Sequence, residues 1–219
     1  MKQFRIAFLI LLLASPVFAE ISVPNFFGHH MVLQQGGKAK LWGRADAGAS
    51  VTVSFKNAQS ATKAGHNGKW SVEIGTGMAD SKGADLTITS DNDTLTIKDV
   101  LVGEVWLASG QSNMAFTVSR SDNATEEIAA ADYTGLRMFN APSVTAAEPM
   151  ENITGSWSLT SPETTGSYSA VAYYFARKLH KDLGVPVGVI KTAWGGKPVE
   201  TFTSREALSS IPETKEMVT

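Results

Sequence analysis

The pattern of the predicted strands changes near Asp99, and this change constrains the fold more than any other feature of the sequence. Before it, short segments such as residues 51–55 alternate apolar and polar side chains, as half-buried strands do. After it, residues 100–108 form an almost continuous apolar strand, which is typical of a sheet covered on both faces. The sequence therefore predicts an all-β sandwich at residues 20–98 and an α/β part at residues 99–219.

A helix and a further strand are predicted in the second part. Apolar residues recur at three and four positions along residues 168–182, namely Val171, Ala172, Phe175, Ala176, Leu179 and Leu183. This spacing predicts a helix that buries one face. Gly184 fits the C-cap of that helix and Pro186 prevents its continuation. Residues 187–190 then form a second apolar strand, and this order is typical of a parallel sheet.

The N-terminus has the layout of a secretory signal peptide. Lys2 and Arg5 precede an apolar run at residues 6–14, and the small-residue pattern ending at Ala19 fits a cleavage site. The run is shorter than the ~20 residues that a membrane-spanning helix needs. We therefore predict a signal peptide at residues 1–19 and an exported protein, periplasmic or extracellular, with no membrane span after cleavage.

Composition excludes several classes of function. The chain has no cysteine, which rules out thiol catalysis and cysteine-ligated metals. Loss of Lys2 and Arg5 with the signal would change the formal charge from −2 to −4, and no basic run is present. A mildly acidic chain of this kind predicts no nucleic-acid partner. We expect neither a metal site nor another cofactor.

Polar residues follow the apolar strand directly, with Ser112 among them. Because ligands of open α/β sheets bind beyond the carboxyl ends of the strands, a serine here would be presented at a binding rim. A helix starting near Asn113 would aim backbone N–H groups at a developing negative charge. Met114 replaces the second glycine of a Gly-x-Ser-x-Gly elbow. Alternatively, Ser112 or Ser109 caps a helix, and the local pattern alone favours that interpretation.

Residues 99–114, Asp-Val-Leu-Val-Gly-Glu-Val-Trp-Leu-Ala-Ser-Gly-Gln-Ser-Asn-Met, resemble the signature of the sialate O-acetylesterase family of the SGNH hydrolases. Other segments are similar to this family in the same order: Phe27-x-x-x-Met31-Val-Leu-Gln34, Trp42-Gly43, Gly68-Lys-Trp70, Ser161-Pro-Glu-Thr164, Ser169-Ala-Val-Ala-Tyr-Tyr-Phe175 and Gly188-Val-Ile-Lys-Thr-Ala-Trp-Gly-Gly196. The resemblance covers essentially the whole chain after residue 19. It implies a flavodoxin-like SGNH domain and a carboxylic ester hydrolase that removes O-acetyl groups from sialic acid or related carbohydrates.

The resemblance also implies roles for individual residues. Ser112 would be the nucleophile that forms an acetyl-enzyme, and its backbone N–H would be one oxyanion donor. Gly195 or Gly196 would supply another donor, with Gly195 preferred, although a glycine after a strand also fits a close turn. The predicted substrate-binding residues are Gln111, Asn113, Gly196 and Glu200. Glu200 is equally well explained as a solvated loop charge, because loops carry both roles.

Two motifs of the resembled family have no counterpart in this sequence. One is similar to Gly-Glu-Ser-Asn, and the other, Asp-x-x-His or Asp-x-His, supplies the catalytic base and its orienting carboxylate. The four histidines are His29, His30, His66 and His180. His180 is predicted near a helix C-terminus, where a cation is favourable for dipole reasons, and Asp182 two residues on does not face it. We therefore expect a truncated esterase chain that holds the nucleophile without its base and is inactive alone.

Two other functions compete with sialate deacetylation. The first is an acetylxylan-type polysaccharide esterase, because the fold leaves the pocket loops free to vary. The second belongs to a different class, a non-catalytic carbohydrate-binding protein that presents Trp42, Trp70 and Phe55 to a glycan. Burial in the core is the favoured explanation for these aromatics.

Overall fold

The computed structural model describes residues 20–91 and 93–218, and the predicted signal peptide lies outside this part of the chain. The described residues form ten strands: β1 (Val32–Gln34), β2 (Lys38–Arg44), β3 (Ser50–Phe55), β4 (Ala58–Lys63), β5 (Lys69–Gly75), β6 (Asp80–Thr89), β7 (Thr94–Gly110), β8 (Tyr133–Asn140), β9 (Trp157–Thr160) and β10 (Val187–Ala193). The helices are α1 (Ser112–Ala115), α2 (Ala124–Ala129), α3 (Pro162–Thr165), α4 (Ala170–Leu183) and α5 (Arg205–Ser210), with short 3₁₀ helices at Val118–Arg120, Val199–Phe202 and Lys215–Val218.

One eight-stranded mixed sheet carries most of the fold. Its order is β4-β3-β6-β7-β10-β8-β9, and β1 pairs in parallel with β7 outside this path. Strands β7, β10 and β8 are parallel to one another, whereas β9 runs antiparallel to β8. Strands β2 and β5 form a separate two-stranded sheet. The predicted α/β class is therefore confirmed, but the predicted parallel arrangement holds only for β7, β10 and β8.

Strand β7 joins the two predicted parts without a break. Its first half pairs with β6 as far as Val102, and its second half pairs with β10 from Glu104 to Gly110. The predicted boundary at residue 99 thus falls inside one continuous strand of 17 residues. The cores are also shared, because Phe139 and Trp157 from the second part pack in the cluster formed by the N-terminal strands. A separate sandwich domain at residues 20–98 remains a prediction.

The prediction that β7 is covered on both faces is wrong for its second half. Val100 and Val102 are fully buried, but Trp106 is 43% exposed and Leu107 67% exposed. From Glu104 to Gly110, the edge of β7 opposite β10 pairs with no strand in the described chain. Side chains on an edge strand pack against neighbours on one side only, so an apolar run there does not ensure burial.

Helix α4 forms as predicted, but its buried face is rotated from the predicted one. The Ser169 hydroxyl accepts a hydrogen bond from the Ala172 N–H at 3.2 Å, and Gly184 ends the helix with φ of 66°. Its buried residues are Ala170, Ala172, Tyr173 and Ala176. Val171, Phe175 and Leu183 are exposed instead. The alanine and tyrosine stripe packs in one core cluster with side chains of β8 and β10, whereas Phe175 packs edge to face against the partly exposed Trp106 of β7.

A buried arginine links the N-terminal strands to the parallel part of the sheet. Arg137 on β8 is 3% exposed. Its Nη2 donates to Asp99 Oδ2 at 2.9 Å, and its Nη1 donates to the backbone oxygens of His30 and Asp99. His30 Nδ1 lies 2.7 Å from the same Asp99 oxygen. Asp99 and His30 both adopt positive φ, of 56° and 68°, so the ionic cluster holds an unusual backbone in place.

This cluster predicts a loss of stability in acid. Burial alone would raise the pKa of Asp99, but the hydrogen bond with His30 and the charge of Arg137 outweigh burial and hold that pKa below its ordinary value of 3.8. A carboxylate with a lower pKa in the folded state stabilises the fold fully above pH ~4, and the contribution is lost as pH falls below the unfolded value. Urea unfolding should therefore give a smaller free energy of unfolding at pH 3 than at pH 7. In Asp99→Asn this pH dependence should be shallower; an unchanged profile would contradict the assignment.

Candidate active site

Ser112 lies at the carboxyl ends of two neighbouring parallel strands. Ser109 and Gly110 at the end of β7 pair with Thr192 and Ala193 at the end of β10, and the Trp194 N–H donates to the Gly110 carbonyl at 2.9 Å. Gly110 has φ of 142°, which an L side chain rarely adopts, and the chain then turns into the four-residue helix α1. Ser112 is exposed at this turn.

The alternative that Ser112 caps a helix is wrong. Gln111 occupies the N-cap position of α1, and no side chain makes a capping hydrogen bond there. Within the described residues, the Ser112 hydroxyl has no hydrogen-bond partner at all. Ser109 lies inside β7 and caps nothing. The Ser112 hydroxyl is therefore not needed for a hydrogen bond that stabilises the fold, and its Oγ is accessible to a ligand.

Gly195 approaches Ser112 across the ends of the two strands. A Cβ built on Gly195 would lie 3.5 Å from Ser112 Oγ and 3.7 Å from Ser112 Cα. The backbone N–H groups of Ser112 and Gly195 find no backbone acceptor in the part of the chain that the structure describes. Gly196, by contrast, has φ of 74° and no heavy atom within 4 Å of a built Cβ. Of the two glycines, Gly195 is the one beside the serine.

A cleft of about 480 Å³ opens next to this turn. It is lined by Ser109, Ala141, Pro142, Ser143, Val144, Ile153, Thr192, Ala193, Trp194, Thr201, Phe202, Thr203 and Ser204. Phe202 therefore lines it, whereas Glu200, half-buried in the same 3₁₀ turn, does not. Gln111 and Asn113 are exposed beside the cleft rather than in its wall. The loop at residues 141–156 was missed by sequence reasoning, because it has neither a motif nor a regular period.

The histidines lie away from Ser112. His180 Nδ1 contacts the Val185 carbonyl at 2.6 Å and its ring packs against Gly135, near the amino ends of β10 and β8. Strand β10 has seven residues, and at ~3.3 Å per residue it separates His180 from the Ser112 turn by about 20 Å. The other three histidines lie among the N-terminal strands and turns. No imidazole is positioned to take a proton from Ser112.

Neither a metal cluster nor a membrane helix is found in residues 20–91 and 93–218. No group of three or more His, Cys, Asp or Glu side chains there has the arrangement of a metal site. No helix in that range is long and apolar enough to cross a bilayer. Of the three aromatics considered for glycan contact, Phe55 and Trp70 are 1% and 3% exposed, but Trp42 is 38% exposed. Burial in the core therefore accounts for Phe55 and Trp70 but not for Trp42.

Comparison with known proteins decides the family. The model of the family described as "Carbohydrate esterase, sialic acid-specific acetylesterase" matches residues 102–216, more than half of the chain. The chain belongs to this carbohydrate esterase family. The matched segment contains both Ser112 and Gly195.

Members of this carbohydrate esterase family and a solved structure are similar over most of the chain. Sialate O-acetylesterase of Rattus norvegicus is 34% identical over 213 residues, which cover 88% of this chain. The Homo sapiens sialate O-acetylesterase is 34% identical over 206 residues, covering 85% of this chain. The crystal structure of a carbohydrate acetylesterase from Xanthomonas citri superposes with a TM-score of 0.83 at 32% identity and covers 86% of this chain. The chain spans 39% of the length of the two curated relatives and 44% of the Xanthomonas protein.

Proposed function

We propose that this chain carries the nucleophile of a serine O-acetylesterase that acts on acetylated carbohydrates, with Ser112 as that nucleophile. The observation that carries the proposal is the geometry of the turn after β7. Ser112 is exposed and free of structural hydrogen bonds, and the backbone of Gly195 lies beside it. Membership of the carbohydrate esterase family supports the reaction class.

The chemistry is a two-step acyl transfer. Ser112 Oγ attacks the acetyl carbonyl carbon while a base removes the hydroxyl proton. The backbone N–H groups of Ser112 and Gly195 donate to the oxyanion of the tetrahedral intermediate, a contribution worth ~10²–10³ in rate for each donor. The intermediate collapses to acetyl-Ser112 and releases the sugar hydroxyl with a proton from the base. Water then hydrolyses the acetyl-enzyme, giving acetate and free Ser112.

The described residues contain no histidine placed to act as the base for Ser112. Serine is a weak nucleophile without a neighbouring group that takes its proton. Since His180 lies at the opposite end of the sheet and the other histidines lie among the N-terminal strands, no described histidine fits the role. We propose that the base and its orienting carboxylate belong to polypeptide beyond these 219 residues, and that this chain is inactive alone.

The proposed substrate is O-acetylated sialic acid or a related acetylated carbohydrate. The curated relatives are named sialate O-acetylesterases, and the Xanthomonas citri protein is described as a carbohydrate acetylesterase. Gln111, Asn113 and Gly196 are proposed to contact the sugar from the rim and Phe202 from the cleft wall. Glu200 lies in the same 3₁₀ turn as Phe202 but outside the lining of the cleft. Export by the predicted signal peptide would place the enzyme where glycans occur.

Acetate release by the protein encoded in the whole reading frame tests this proposal. Three substrates distinguish the candidates: O-acetylated N-acetylneuraminic acid, acetylated xylan, and an N-acetylated sugar without O-acetyl groups. Release from the first substrate, with none from the third, is expected for a sialate O-acetylesterase. Faster release from xylan would favour the acetylxylan-type function. Glycan binding without any acetate release would overturn the esterase assignment in favour of the non-catalytic one.

A further inference from the structure

A second cleft, of about 1100 Å³, lies on the N-terminal strands. Its walls come from β2, β5 and the end of β4, from residues 22–26, and from residues 150–152 of the loop that joins β8 to β9. None of these residues lines the cleft beside Ser112. The cleft is large enough for a ligand of several rings, since small-molecule sites span ~300–1,000 Å³.

Cationic side chains border this cleft on several sides. Lys40 and Arg44 lie four residues apart on β2, so their side chains share one face of the strand. Lys69 on β5 pairs directly opposite Arg44. Lys63 adds a fourth cation from the end of β4. Lys40 and Lys63 make no ion pair within the described chain. Because the whole chain has a net charge of −2, four cations around one cleft do not follow from composition.

An aromatic ring stands between these cations. Trp42 occupies the position between Lys40 and Arg44 on the same face of β2, and it is 38% exposed. Its ring is held by Phe26 and Phe27, with centroid distances of 5.3 and 4.8 Å. A fixed, partly exposed ring offers a rigid surface on which the apolar face of a sugar can stack, at little cost in side-chain entropy.

The cleft already holds one carboxylate, which belongs to the chain. Glu151 Oε2 accepts from Arg44 Nη2 at 2.8 Å, and Glu151 Oε1 pairs with Lys69 Nζ. Hydrogen bonds from Lys69 and Arg44 lower the pKa of Glu151 to about 2, so it stays ionised at neutral pH. Glu151 lies on an exposed loop rather than in a strand. A carboxylate supplied by a ligand can therefore compete for the same two cations.

We propose that this cleft binds an acidic saccharide, with the sugar ring against Trp42 and its carboxylate among Lys40, Arg44, Lys63 and Lys69. Glu151 occupies the carboxylate position until the ligand enters. The aromatic surface favours a saccharide over a simple polyanion, which would need the cations alone. This binding does not depend on the catalytic proposal, because it involves neither Ser112 nor the base.

The same loop connects the two clefts. Pro142, Ser143 and Val144 line the cleft beside Ser112, and Met150, Glu151 and Asn152 line the cationic cleft. The Asn152 side chain anchors the loop by accepting from the Asn25 N–H at 2.7 Å. A saccharide that displaces Glu151 thus contacts the segment that also shapes the wall of the candidate active site.

Isothermal titration of the chain with trigalacturonic acid tests the proposal, with neutral xylotriose as the comparison ligand. We expect the acidic trisaccharide alone to bind, and to bind more weakly as salt rises. The double variant Lys40→Gln/Lys63→Gln should weaken binding about tenfold or more, each lost tenfold corresponding to ~1.4 kcal/mol. Lys82→Gln, an exposed cation on β6 outside the cleft, is the matched control and should bind as the wild type does.

Two further variants separate a built site from general charge attraction. Trp42→Ala should also weaken binding, and Glu151→Gln should strengthen it several-fold, because a competing carboxylate is removed. Equal binding of both trisaccharides, no binding of either, or unchanged affinity in the lysine double variant would overturn the proposal. So would a poly-glutamate peptide that binds equally well in wild type and Trp42→Ala, since that result indicates a polyanion surface. Acetate release plays no part in these readouts, so their failure leaves the esterase proposal standing.

Discussion

Ser112→Ala in the protein encoded by the whole reading frame is expected to lower acetate release at least about 10³-fold, since loss of the nucleophile removes the acyl-enzyme route and leaves only binding and oxyanion contacts. The fold should be unaffected, because the Ser112 hydroxyl makes no hydrogen bond among the described residues and the side chain is exposed. The measurement is acetate release from an O-acetylated sugar under single-turnover and steady-state conditions, with thermal unfolding of the same samples.

Ser119→Ala is the matched control for this experiment. Ser119 is an exposed serine shortly downstream, and its hydroxyl bonds only with Thr117 Oγ1 at 3.0 Å. It should retain the wild-type rate. An enzyme that keeps most of its activity without Ser112 would show that another group attacks the ester. A mass increase of one acetyl group on wild type, trapped by rapid quenching and absent in Ser112→Ala, would identify the intermediate directly.

Asp99→Asn is expected to cost about 3 kcal/mol of unfolding free energy, the lower end of the range for breaking a buried ion pair. The substitution leaves the Arg137 guanidinium buried with a neutral partner. The lower end applies because the Asp99 side chain is 36% exposed, so water replaces part of the lost interaction. Asparagine tolerates the positive φ of Asp99, so the change reports on charge rather than backbone strain. Urea unfolding at pH 7 gives the value.

Two comparisons sharpen that experiment. Asp182→Asn removes the carboxylate of an exposed helical pair with Lys178 and should cost less than about 0.5 kcal/mol. Asp99→Asn combined with Arg137→Met removes both charges, and it should recover part of the loss because no buried charge is left unpaired. A double variant less stable than Asp99→Asn alone would show that Arg137 stabilises through its bonds to backbone oxygens instead.

Local sequence patterns predicted the elements whose burial repeats with a clear period. The alternation along residues 51–55 became β3, and the spacing along residues 168–182 became α4, ended by Gly184 in the left-handed conformation. Strand β8 escaped prediction because Gly135 and the buried Arg137 interrupt its apolar pattern. Arg137 is tolerated inside only because Asp99, distant in the chain, neutralises it. An ion pair between residues far apart in the chain produces no periodic pattern in the sequence.

The same distinction between local patterns and long-range contacts applies to the candidate site. The Ser112 segment was recognisable in the sequence because its resemblance to a family signature lies within a short stretch, and the structure places Ser112 exposed at the turn after β7. The register of β10 on β7 decides which glycine lies against Ser112, and this glycine is Gly195 rather than Gly196.

By itself, the sequence predicted the carbohydrate esterase family, which the family comparison confirms, and the type of most elements. These depend on neighbouring residues and on backbone preferences that act over a few positions. Only the tertiary structure decided that β7 runs through both parts, that His180 lies at the wrong end of the sheet, and that the cations of the second cleft meet Glu151. Such relations depend on the order of the strands and on contacts between residues far apart in the chain. The stabilising free energy of these contacts comes from packing and ion pairing, and no local sequence pattern connects the residues involved.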